Sequence, residues 1–138
     1  MTESGEGNVT EDSSAPGTVD SRANLEEIGW AGDELVRSWV GGVAPTVAAK
    51  AASFVFGEIY AMKQLPTRYR ELLIAGIIAA TGGLPDGAVQ HLGVAVSEGV
   101  TAGEVDEMFA LLAAYAGFPK AIAAAREFQR QHGSLQQQ

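Results

Sequence analysis

Apolar residues recur along this chain at intervals of three and four, in windows bounded by Gly, Pro or a capping residue, and each window predicts a helix. From Asn24, the positions Leu25, Ile28, Leu35, Val36, Trp39 and Val40 keep near-helical spacing broken around Gly29 and Gly32. This predicts a short helix, a break, and a helix from about Asp33 to Val40, closed by Gly41 and Gly42. Pro45 and Thr46 open the next helix, in which Val47, Ala51, Phe54, Val55, Ile59 and Met62 form one stripe reaching about Lys63. Thr67, as an N-cap after Pro66, starts a helix that Thr81-Gly82-Gly83 ends, with Leu72, Leu73, Ile77 and Ala80 on its expected buried face. Pro85 and Asp86 open another, running to about 98 and stopped by Gly99. Thr101 and Glu104 have the spacing of a capping box, so a helix follows over 102–115 with Val105, Met108, Phe109, Leu112 and either Tyr115 or Ala116 inward. Gly117 ends it, and Pro119 opens a last helix to about His132.

No window alternates with a period of two, so the expected fold is all-α, a compact bundle of about six helices. The short link between 67–81 and 86–98 makes those two helices a central antiparallel hairpin. In that hairpin His91 is expected to face the late part of helix 67–81. Joining it to Arg70 and Glu71 would need the crossing geometry of the helices or a neighbouring subunit. Ala and Gly dominate the expected inner faces, which lets helices approach closely, and the apolar stripes are wider than one core requires. Self-association is therefore expected.

Composition narrows the functional classes. Residues 1–23 are acidic and rich in Ser, Gly and Thr, the composition of a disordered tail. The helical domain is expected over 24–133, with 134–138 frayed. Five acids against one Arg in the tail account for half of the net charge of −8, so the helical part is only mildly acidic and carries no basic face for nucleic acid. The chain has no Cys, which excludes disulfides, thiolate metal sites and thiol redox chemistry. No signal-like N-terminus and no uninterrupted apolar run of spanning length is present, so the expectation is a cytoplasmic protein without a membrane partner.

Four collinear pieces carry a family resemblance: Gly57-Glu58-Ile59-Tyr60; Leu65-Pro66-Thr67-Arg68-Tyr69-Arg70-Glu71-Leu72-Leu73; Pro85-Asp86 with His91 following; and Gly99-Val100-Thr101 through Glu104 and Glu107 to Tyr115-Ala116-Gly117-Phe118-Pro119. With these the chain resembles the carboxymuconolactone decarboxylase family, grouped with the alkylhydroperoxidase D-like proteins. The resemblance implies an all-helical fold, homo-oligomers such as trimers or hexamers, no cofactor, and a small-molecule substrate that in the decarboxylase branch is a lactone carboxylate. The peroxidase branch uses a Cys-x-x-Cys pair, with three residues between the second Cys and a His. Counting back from His91 puts Leu84 and Gly87 at those positions, so the chain is similar to a Cys-less branch. Glu71 beside Arg70 is nonetheless closer to the peroxidase pattern.

A decarboxylase without a cofactor must desolvate the departing carboxylate, stabilise the carbanion or dienolate, and deliver a proton to carbon. Imidazole is the natural proton carrier near neutrality, which makes His91 the first candidate, against the plainer alternative of a hydrogen-bonded structural His. Glu58, beside an apolar stripe, is a candidate acid or orienter of His91. Glu71, on the same face as Ile74, Ala75 and Ile78, is a carboxylate in need of a partner. Arg70 and Arg68 are candidate clamps for a carboxylate or enolate, with a solvated ion pair as the alternative. Tyr60, Tyr115 and Trp39 are candidate pocket walls or core residues. One placed His and scattered carboxylates offer no metal site. The expected activity is that of a cofactor-independent lyase or isomerase on a small enolisable lactone or carbonyl. A cyclase or isomerase on a larger substrate, or a helical binding protein without the chemistry, are the alternatives.

Overall fold

The computed structural model describes residues 37–83 and 85–135, and all regular secondary structure among them is helical. The expected tail and the helix near Leu25 lie outside the described residues. The chain divides into two compact units, one up to Ala61 and one from Met62 onward.

In the first unit, α1 (Arg37–Gly41) is a π-helical turn, α2 (Pro45–Lys50) is α-helical, and α3 (Ala51–Ile59) continues as π-helix. The pattern predicted a single α-helical stripe here, but the winding widens at Ala51. The Tyr60 N–H accordingly donates to the carbonyl of Val55, five residues back, at 3.0 Å. A wider turn rotates every following side chain out of the α-helical phase. Beyond Ala51 the buried positions are therefore Phe56, Gly57 and Tyr60, while Phe54 and Ile59 of the expected stripe are exposed; in α2, before the widening, Ala48 is buried and Val47 exposed. Tilted rings link Trp39 to Phe56 at 6.4 Å between centroids and Phe56 to Tyr60 at 5.2 Å.

The second unit holds α4 (Thr67–Thr81), α5 (Pro85–Ser97), α6 (Ala102–Ala116) and α7 (Phe118–His132), close to the boundaries the pattern predicted. Pro66, with φ −52° and ψ 143°, takes the N-cap position itself, so Thr67 is the first helical residue and its hydroxyl makes no capping bond. Gly82 ends α4 in the left-handed region at φ 71°, and its N–H reaches the carbonyls of Ile78 and Ala79. Lys120 Nζ donates to the nearby Ala80 carbonyl at 2.8 Å, tying the end of α4 to α7. The capping box at α6 forms as expected. Thr101 Oγ1 accepts the Glu104 N–H at 3.2 Å and Glu104 Oε2 accepts the Thr101 N–H at 2.8 Å.

α4 and α5 form the antiparallel hairpin, and α6 and α7 pack on it. One buried cluster joins Ala75, Val89, Leu92, Ala95, Val100, Val105 and Phe128; a second joins Ala79, Ala88, Leu112, Ala121 and Ala124. Burying side chains such as Leu92 and Val89 contributes roughly 2 kcal/mol each, and the alanines contribute mainly by letting backbones approach. Gly93 leaves room on α5 for a side chain of α7, since a Cβ there would lie 3.0 Å from Cε1 of His132, whose ring stacks on Phe128.

The buried face of α4 differs from the one its large apolar residues predicted. Arg70, Glu71, Ala75 and Ala79 are buried, whereas Leu73 and Ile77 are each 54% exposed. Tyr115 of α6 is likewise exposed, and the partly buried Ala116 takes the inward place that was open to either residue.

Candidate functional site

Glu71 lies one and two helical turns before Ala75 and Ala79, on the stripe that α4 turns inward. Because the other members of that stripe are alanines, α5 approaches closely, and two long side chains span the space that remains. His91, midway along α5, meets Glu71 there, with His91 Nδ1 2.6 Å from Glu71 Oε2. On the other carboxylate oxygen, Arg70 Nε donates to Glu71 Oε1 at 3.4 Å. Glu71 is fully buried, and Arg70 and His91 are each 7% exposed. The contact forms directly within one chain, although the hairpin pattern had placed His91 opposite the later turns of α4.

The electrostatics follow from the donor inventory. A carboxylate only accepts hydrogen bonds, so facing an ionised Glu71 the ring presents its Nδ1 hydrogen to Oε2, with Nε2 on the other side of the ring. Burying an isolated carboxylate costs several kcal/mol, which the Arg70 guanidinium and the His91 N–H offset. A buried arrangement of this kind contributes little net stability compared with an apolar one of equal volume, but it holds the imidazole in one tautomer and one orientation.

The remaining candidates lie elsewhere. Arg68 is exposed; its Nη2 donates to the Tyr69 hydroxyl at 3.0 Å and its Cζ lies 4.6 Å from the centre of the same ring. Tyr115 is 89% exposed and lines an open groove of about 600 Å³ between α4 and α6, together with Tyr69, Leu73, Ile77, Met108 and Leu111. That groove lies on the side of α4 opposite Glu71, so Arg68 and Tyr115 are not gathered with the His91 pair. In the first unit Tyr60 is buried, Trp39 is partly exposed, and Glu58 is exposed on α3, so the burial that would have made it an unusual acid is absent there. Tyr69 was not among the sequence candidates. Its four-residue spacing to Leu73 and Ile77 was the available signal. Among the described residues no three His, Cys, Asp or Glu side chains converge as metal ligands, and no helix is long and apolar enough to cross a membrane.

An all-helical protein with a buried His–carboxylate pair across a helical hairpin is the class that this fold and site define. The chain belongs to the carboxymuconolactone decarboxylase family, whose model matches residues 45–130. That span covers α2 to α7 almost completely, including Arg70, Glu71 and His91. A search of curated proteins found no match to the chain.

Proposed function

We propose that the protein is a cofactor-independent lyase or isomerase in which His91 carries a proton to or from carbon. The observation that carries this reading is the 2.6 Å contact between buried His91 and fully buried Glu71, with Arg70 on the second carboxylate oxygen. An imidazole so held has one nitrogen committed to the carboxylate and delivers or accepts its proton through the other. In a decarboxylation the bond to the carboxylate carbon breaks, carbon dioxide leaves, and the electron pair passes into the adjoining unsaturated carbonyl. Protonated His91 then gives its Nε2 hydrogen to carbon, and Glu71 stabilises the imidazolium before that transfer. Isomerisation uses the same nitrogen first as base and then as acid. Arg70 balances the charge of Glu71 and so acts through it.

The substrate class is a small enolisable lactone or carbonyl compound, 4-carboxymuconolactone being one member; a larger substrate undergoing cyclisation or isomerisation fits the same proton chemistry. Glu58, Tyr60, Trp39, Arg68 and Tyr115 remain candidates from the reading of the sequence, and assembly into trimers or hexamers and independence from a cofactor remain expectations from the family resemblance. A second reading, a helical binding protein without catalysis, is favoured by the position of the apolar groove, which lies on the opposite side of α4 from His91. Incubating the wild type and His91→Gln with 4-carboxymuconolactone and related lactones separates the two. Catalysis predicts a loss of turnover of about 10²- to 10⁴-fold with the melting temperature nearly unchanged. No turnover by the wild type, together with a lowered melting temperature in the variant, would leave His91 a structural residue.

A further inference from the structure

The α4/α6 groove has no role in the chemistry proposed for His91, and its floor and walls are built from different residues. Leu72, Gly76 and Ala80 of α4 and Met108 of α6 form a half-buried floor, while Tyr69, Leu73 and Ile77 of α4 and Leu111 and Tyr115 of α6 stand exposed as the walls. Gly76 sets the depth, because a Cβ there would already lie 3.8 Å from Met108 Sδ and a longer side chain would fill the floor. The volume of about 600 Å³ is that of a small-molecule site, and an exposed apolar concavity of this extent is a surface that ligands use.

Charge is confined to one end of the groove. α4 and α6 run in the same direction, since Leu72 packs in the cluster of Val105 and Ala79 in that of Leu112. The two carboxylates that line the groove, Glu104 and Glu107, therefore both stand at the Tyr69 end, and the rest of the lining is uncharged. Glu104 Oε2 accepts the Thr101 N–H, which leaves its other oxygen open, and Glu107 makes no hydrogen bond or ion pair among the described residues. Arg68 lies at the same end but does not line the groove; its guanidinium is held against Tyr69 and offsets only one of the two negative charges. A ligand that ends in a carboxylate is repelled there, a neutral one leaves both acids without a counter-charge, and a cationic one answers them.

We propose that the α4/α6 groove binds a small amphiphilic amine, with its apolar part laid along Leu73, Ile77 and Met108 and its ammonium group at Glu104 and Glu107. The site is separate from the proton chemistry, because His91 lies on the other side of α4, so the inference stands or falls independently of any turnover. Decylamine, decanol and decanoate share one apolar chain and differ in the charge of the head group, and calorimetric titration of each into the full chain at low salt tests the assignment. Decylamine is expected to bind saturably with Kd below about 1 mM, about two- to fivefold tighter than decanol, with decanoate the weakest of the three. Glu107→Gln should remove most of that preference and leave decanol binding unchanged, and Glu107→Lys should reverse the order in favour of decanoate. Gly76→Leu should weaken all three at least about tenfold with helical circular dichroism intact. The Glu107 variants, at an exposed position, decide the matter if Gly76→Leu does not fold. No saturable binding by the wild type, equal affinity for decylamine and decanol, a Glu107→Lys protein that keeps the wild-type order, or a folded Gly76→Leu protein that binds as the wild type does would each overturn the proposal. So would sedimentation velocity in which the wild type self-associates and decylamine leaves that assembly intact, since a second copy would then fill the groove.

Discussion

The two sides of α4 invert the usual distribution of residues. The side turned into its own unit carries Arg70, Glu71, Ala75 and Ala79, two charged groups and two of the smallest side chains, and all four are buried. The opposite side carries Tyr69, Leu73 and Ile77, and all three are exposed. The difference teaches that close helix approach rather than apolar volume governs the interior of this hairpin. Alanines bring α5 near enough for a carboxylate and an imidazole to meet, and the large side chains are left on the exposed side of the helix.

Removing the carboxylate breaks the inner side most severely. Glu71→Ala removes the buried carboxylate that both Arg70 and His91 contact, and chemical denaturation should show a loss of about 3 to 5 kcal/mol. A loss below about 1 kcal/mol would mean that water enters the site freely and that the pair is not an enclosed one. A smaller effect, but a sharper contrast between the two sides, comes from changes in volume. Ala75→Leu forces α4 and α5 apart and should cost about 1 to 3 kcal/mol, while Leu73→Ala on the outer side of the same helix should stay within about 0.5 kcal/mol at monomeric concentrations. Equal costs would remove the distinction drawn here.

The smallest expected effect lies at the surface of α7, far from either side of α4 in character. Hydrogen bonds from Arg130 and then from Gln131 hold the Glu127 carboxyl down at about 2 from an ordinary 4.5. A carboxyl whose value is lowered by folding contributes stability that is present above the unfolded value and lost as pH falls through the folded one. Between pH 4.5 and about 2 the wild type should therefore lose stability more steeply than Glu127→Gln, and acid titration of the two followed by circular dichroism reads the difference. Coincident acid profiles would show that this exposed pair contributes nothing measurable, as many exposed pairs do not.

Local rules located the elements of the second unit well. Pro, Gly and the Thr101–Glu104 pair act within a few residues of themselves, so the limits of α4 to α7 were legible almost to the residue. The Glu on an otherwise apolar face of α4 was also visible, and so was the prominence of His91. The assignment of inner and outer faces was less legible. Leu72, Leu73, Ile77 and Ala80 form as good a stripe as Glu71, Ala75 and Ala79, because a helix with two apolar sides has no unique hydrophobic direction. The π-helical winding of α3 escaped as well, since no residue between Ala51 and Ile59 marks it and the phase of Phe56 and Tyr60 depends on it.

By itself the sequence determined an all-helical chain, most of its breaks, the family, and the residue types available for proton transfer, because these depend on backbone preferences and on short-range spacing. Only the tertiary structure decided that Glu71 and His91 meet at 2.6 Å with Arg70 beside them, and that Leu73 and Ile77 face outward. Contacts between residues twenty positions apart are set by how closely two helices approach and by which sides they turn to one another. That choice is made by the packing of all four helices of the unit at once, and no single window of the sequence contains it.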